Sequence, residues 1–145
     1  MATLEVEGFE DLEDALQRIS EIPFPILGEA LDAMAETAAA KIREEGMSMG
    51  VRDPESEVHI LDVIKPRTPK QTDSGGYQDI TFSGSRRRHG KSTRNAEIAF
   101  VNEYGRRGQP ARPFIGNAMT KNENTISAAG EKIIGDWIES EFQRN

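Results

Sequence analysis

The run Ala96-Glu-Ile-Ala-Phe-Val101, together with the segment 102–115, constrains the fold of this chain more than any other stretch. Five of the six residues in the run are apolar, which predicts a central strand buried on both faces. Gly105 then lets the chain turn with φ > 0. Pro110 and Pro113 stiffen the next part of the path, and Pro113 suits a first helical position, where a missing N–H costs nothing. Phe114 and Ile115 would anchor the start of that helix against the sheet. Strand, glycine turn, proline-braced loop and helix, in that order, require a sheet with helices packed on it.

The flanking segments agree. Ile26, Leu27, Ala30, Leu31, Met34, Ala38 and Ile42 form a one-sided stripe, predicting a helix over 25–45 that opens at Pro25 and ends at Gly46. Before it, Thr3–Glu7 alternates as a short strand, and Leu12, Leu16 and Ile19 mark a helix closed by Pro23. Val58, Ile60 and Val63 predict a strand over 58–64, and Tyr77–Phe82 a second one. After Phe114, Ile126, Ala129, Ile133 and Trp137 line one helical face. Thr120-Lys-Asn-Glu123 has capping-box spacing, so 113–143 reads as one kinked helix or two. The fold class expected is α+β: a small, mostly antiparallel sheet of three or four strands, packed by two to four helices, with a long basic hairpin loop.

A length of 145 residues sets one domain, 1–145, with a single core. No apolar run is long enough to span a membrane. The acidic N-terminus Met1–Glu7 lacks the basic flank and apolar stretch of a secretory signal. Cysteine is absent, which removes disulfides, thiolate metal sites and cysteine nucleophiles. The net charge of −7 hides an asymmetry: residues 1–57 carry fifteen Asp/Glu against four Lys/Arg, and residues 65–112 carry four against eleven. Opposite potentials on one small body favour head-to-tail association or contact with a polyanion.

Little here points to catalysis or to a cofactor. His59 and His89 stand apart, with no other histidine at helical spacing, so no metal site is expected. Serines lie in loops without a nucleophile elbow. Asp73-Ser-Gly-Gly76 and Gly105-Arg-Arg-Gly108 lack the lysine and helix context of a phosphate loop. Asp62, Asp79 and Glu97 are the only obvious strand carboxylates, and no nucleophile, base and orienting group can be assembled from them. The reading is that the protein is not an enzyme. The polar feature above background is Ser83–Asn95, too basic to bury and read as a mobile hairpin tip. Arg86, Arg87, Arg88, Lys91 and Arg94 within it could track phosphates, dock on an acidic protein or stay solvated. No aromatic interleaves them, so base stacking is not expected.

Val101-Asn-Glu-Tyr-Gly105 followed by Pro110-Ala-Arg-Pro-Phe114 resembles a family of small tailed-bacteriophage virion proteins. These are the minor tail, tail-completion or head–tail joining components, ring subunits of the siphophage neck. The resemblance implies a structural protein in a closed, sixfold ring that terminates the tail tube or joins the tail to the head-closing ring. A head-proximal connector adaptor is the alternative within that class, and a sequence-independent nucleic-acid-binding module using the basic loop is the alternative outside it. Implied partners are further copies of the chain, the tail tube protein, a head-closing or connector protein and genomic DNA, with no cofactor. The implied location is the virion neck, after assembly in the host cytoplasm. Glu103, Tyr104, Gly105, Pro110, Arg112, Pro113 and Phe114 would lie at or beside the subunit interface, with Arg112 reaching a carboxylate such as Glu103. A chain of this length has a radius of gyration of roughly 15 Å. Six such bodies in a ring leave a hole ample for a duplex roughly 20 Å wide.

Overall fold

The structure is a computed structural model and describes residues 21–53 and 58–144, together with 14 and 17. The strand expected at Thr3–Glu7 and the helix expected through Leu12, Leu16 and Ile19 lie outside the described residues. Helix α1, Phe24–Ser48, carries Pro25 in its first turn and buries Gly28, Ala30, Ala35, Ala38, Ala39 and Ile42. Small residues dominate that face, so neighbouring elements approach closely. The helix does not stop at Gly46 as expected. A Cβ there would stand 2.6 Å from Leu61 Cδ2 and 3.2 Å from Phe114 Cδ2. The glycine admits two core side chains and does not end the helix.

The strand expected over 58–64 is mostly a 3-10 turn, Ile60–Val63, and only β1, Ile64–Pro66, is extended. Two side chains capture its backbone donors: His59 Nδ1 accepts from Leu61 N–H at 3.1 Å, and an Asp53 carboxylate oxygen accepts from Ile60 N–H. Local bonds of this kind divert a chain from the sheet ladder. Five further short strands come after it: β2 Lys70–Thr72, β3 Gly75–Tyr77, β4 Ile80–Phe82, β5 Ser85–Arg88 and β6 Lys91–Arg94.

The fold is α+β, and among the described residues the strands are all antiparallel. They form three two-stranded ribbons (β1 with β4, β2 with β3, β5 with β6) where a single sheet of three or four strands was expected. Strands of three or four residues punctuated by Pro66, Pro69 and glycines cannot extend a common ladder, so each ribbon leans on helices or on the adjoining loops.

The central strand expected at Ala96–Val101 is a helix, α2, Asn95–Tyr104. Its buried residues are Asn95, Ile98, Ala99, Asn102 and Glu103, spaced i, i+3, i+4, i+7, i+8. That is helical period, but three of the five are polar, so the apolar pattern alone reads as a strand. Two more helices complete the chain: α3 Phe114–Lys121 and α4 Glu123–Gln143, which break at Asn122. Pro113 precedes α3 and is not its first residue.

Helix α1 lies along α4 and against α3. The core gathers below its C-terminal half, where Ile42, Val51, Ile60, Leu61, Ile64, Phe82, Ile98 and Phe114 form one cluster. Phe114, fully buried, meets Phe82 edge to face with ring centres 6.0 Å apart. This core holds α2, α3 and the β1–β4 ribbon in fixed relation to α1.

Candidate functional site

The segment carrying the phage-protein resemblance splits between inside and outside. Phe114 is in the core, and the Glu103 carboxylate is buried at the seam between α2 and α3. Its two oxygens accept from the N–H groups of Ile115 and Gly116 at 2.8 and 2.9 Å. Pro113, at the N-cap position, offers no side-chain acceptor, so a glutamate from the preceding helix satisfies two of the orphan donors of α3. Asn102, 1% exposed, bonds the Arg52 backbone through both ends of its amide. Its backbone carbonyl accepts from Arg112 N–H at 2.6 Å.

Gly105 adopts φ +77°, and a Cβ there would fall 2.7 Å from Ala111 N. Only glycine fits that crossing, which folds Arg106–Gln109 into a tight loop closed by reciprocal backbone bonds. Pro110 and Pro113 are exposed. Arg112 does not pair with Glu103, whose carboxylate is taken by α3. One of its guanidinium nitrogens, Nη1, is buried without an acceptor.

Tyr104 points outwards. It is 69% exposed and touches Phe100, itself 61% exposed, with ring centres 4.7 Å apart and the rings tilted by 48°. Phe100, expected in a buried strand, is therefore on the outer face of α2. Two large aromatics in mutual contact and open to solvent form an unusual surface for an isolated domain.

The basic segment is a formed hairpin. His89 at φ +50° and Gly90 at φ +77° make the two-residue turn between β5 and β6, the arrangement that matches strand twist. Register pairs Arg88 with Lys91, Arg86 with Thr93 and Ser85 with Arg94. Strand alternation then divides the five cations. Arg86 faces the body, where Nη1 meets Asp53 Oδ1 at 2.6 Å and Nε meets Asn95 Oδ1 at 2.7 Å. Arg88 and Lys91 share that face further out, while Arg87 and Arg94 lie on the other.

Each face borders a cleft. The first, about 910 Å³, lies between the hairpin, α2 and the Arg106–Gln109 loop. It draws cations from Arg52, Arg88, Lys91 and Arg106, and it also includes Glu97 and Asp53. The second, about 570 Å³, lies between the hairpin base and the β1–β4 ribbon, with Lys65, Arg67, Lys70 and Arg94 along its walls. Sequence reasoning missed Arg52 and Arg106, which only folding brings to the hairpin. It also passed over Lys65, Arg67 and Lys70, three cations within six residues whose interleaved prolines are the more conspicuous signal.

His59 is structural, through its bond to Leu61 N–H, and His89 sits in the hairpin turn. Asp62, Asp79 and Glu97 are exposed. Among the described residues, no group of three or more histidines and carboxylates is placed to hold a metal ion, and no helix is long and apolar enough to cross a membrane. No family model, curated protein or solved structure matches the chain.

Proposed function

We propose that this chain is a structural virion protein of a tailed bacteriophage, one subunit of a closed, sixfold ring at the head–tail junction. The ring would terminate the tail tube or join it to the head-closing ring, and the protein would perform no catalysis. The observation that carries this reading is the exposed Phe100–Tyr104 ring pair, which directly precedes the Gly105 turn of the phage-protein signature. Aromatic residues are enriched in the buried centres of interfaces, and here they share a segment with Arg112, whose hydrogen bonding within the subunit is incomplete.

Charge supports the same reading. Glu29, Asp32, Glu36, Glu131, Asp136 and Glu139 are exposed on the packed pair α1 and α4, and Lys65, Arg67, Lys70, Arg87, Lys91 and Arg94 are exposed on or beside the ribbons. A body with opposite potentials on two sides suits the heterologous contact that closes a ring. The test is light scattering on a sizing column together with negative-stain microscopy. Wild type should form rings, and Phe100→Ser with Tyr104→Ser should remain folded and monomeric. A wild-type protein that stays monomeric at every concentration, with or without purified tails, removes the proposal. Binding to purified tails, as opposed to DNA-filled heads, separates the tail-terminating role from a head-proximal adaptor.

A further inference from the structure

The second cleft carries an assignment of its own. Its walls hold Lys65, Arg67, Lys70 and Arg94, all exposed, together with the hydroxyls of Thr68, Thr81, Ser83 and Ser85. No aspartate or glutamate lines it among the described residues, and none pairs with any of the four cations. In a chain of net charge −7, a concave surface free of carboxylates is a departure from the average. The first cleft, by comparison, mixes Glu97 with its cations.

The cleft is also held in shape. Arg67 N–H donates to Asp79 O at 2.7 Å, and Arg67 O accepts from Gln78 Nε2 at 2.6 Å. Lys65 is fixed opposite Thr81 in the β1–β4 ladder, and Arg94 opposite Ser85 in the hairpin. Ser83 N–H donates to Val63 O, and Asn95 Nδ2 to Ser83 O, tying the hairpin base to the ribbon. The cationic side chains therefore extend from backbone that is already positioned, which lowers the ordering cost of binding.

The geometry points to a site for the phosphodiester backbone of duplex nucleic acid, bound without regard to sequence. Lysine, arginine and small hydroxyl side chains are the groups that contact phosphates and carry no base information. The lining aromatic, Phe82, is buried in the core and cannot stack on an unpaired base, which favours a duplex over a single strand. A protein partner is a poorer fit. Interface centres are depleted in charge and rich in apolar contact, and this cleft offers only Pro66 besides the buried Phe82. The assignment goes beyond the neck-ring reading and does not depend on it.

The test is fluorescence anisotropy with an end-labelled 24-bp duplex of arbitrary sequence, titrated between about 50 and 200 mM salt. Four neutralised phosphates give a slope in log K against log salt of about 3.6, or an affinity loss of about 150-fold across that range. Replacing the four by glutamine (Lys65→Gln, Arg67→Gln, Lys70→Gln, Arg94→Gln) should lower the slope by about 0.9 for each phosphate no longer neutralised. All four are exposed, so circular dichroism should be unchanged. The reference variant Arg88→Gln with Lys91→Gln, in the other cleft, should keep most of the slope. Unchanged duplex affinity in the fourfold variant overturns the assignment, as does a slope that vanishes only in the reference variant. If the fourfold variant binds duplex normally but no longer self-associates by light scattering, the occupant is an acidic face of a second copy and the nucleic-acid site falls. A wild type that binds duplex yet forms no ring would refute the ring alone.

Discussion

Asp53 Oδ1 and Arg86 Nη1 stand 2.6 Å apart, with side chains only 1% and 12% exposed. Asp53 also accepts from Ile60 N–H, and Arg86 also donates to Asn95. One ion pair thus ties together the chain after α1, the 3-10 turn, the hairpin and the start of α2. Of three consecutive arginines, the first is committed to the fold.

Arg86→Ser should therefore destabilise the protein by about 3–5 kcal/mol, because it leaves a buried carboxylate without its cation. Arg87→Ser, on the exposed face, should change stability by no more than about 0.5 kcal/mol. Urea midpoints compare the two. Equal midpoints would show that the pair contributes nothing. A block replacement of all three arginines confounds this structural effect with any loss of partner binding.

Glu103→Ala removes the acceptor for two amides at the start of α3. A cost of about 1–2 kcal/mol is expected, in the range of a lost N-cap. The amides of Ile115 and Gly116 should exchange with solvent faster, and Glu103→Gln, which keeps one acceptor oxygen, should fall between. Unaltered protection at those two amides would mean that the carboxylate does not cap the helix in solution.

Two helical glycines should respond oppositely to alanine. At Gly46 the new methyl meets Leu61 and Phe114, both buried in the core, and overpacking of about 1–3 kcal/mol outweighs the gain in helix propensity. At Gly130 it meets Met34 Sδ at 2.5 Å and Cγ at 2.8 Å. That thioether chain is only half-buried and flexible, so it can swing aside. Gly130→Ala should be neutral or stabilising by up to about 1 kcal/mol. Thermal melts decide it, and a Gly46→Ala protein melting above wild type contradicts the packing.

Arg112→Ala should leave folding stability within about 1 kcal/mol of wild type, since it removes a buried donor that has no acceptor. Ring formation should weaken at least tenfold. Sedimentation across a concentration series, beside a urea titration, gives both values. A variant that assembles normally is not missing an interface anchor.

Helix α1 is legible in the sequence because its apolar and alanine positions recur at helical spacing over nearly five turns, long enough for local periodicity to be unambiguous. The Gly105 turn and the burial of Phe114 are legible for a similar reason, since glycine and large aromatics have few alternatives. Ala96–Val101 misleads because a short apolar run fits a strand as well as a helix. The residues that complete its helical period, Asn95, Asn102 and Glu103, are polar and buried only because Arg52, Ser83, Arg86 and α3 supply their hydrogen-bond partners.

The candidate site divides in the same way. Five cations within nine residues stand out in the chain as one patch. Antiparallel pairing, which turns successive side chains to opposite faces, places Arg86 in an ion pair, Arg88 and Lys91 in one cleft and Arg94 in the other, and leaves Arg87 on the surface. The partners of those clefts lie twenty or more residues away in Lys65, Arg67, Lys70 and Arg52, and in Arg106 beyond α2. The sequence by itself determined an α+β domain with charge of opposite sign in its two halves, because composition and long-range periodicity are properties of the chain. Which polar groups are buried, which arginine is structural and where carboxylate-free surface gathers were decided by tertiary structure, because each depends on a partner distant in sequence.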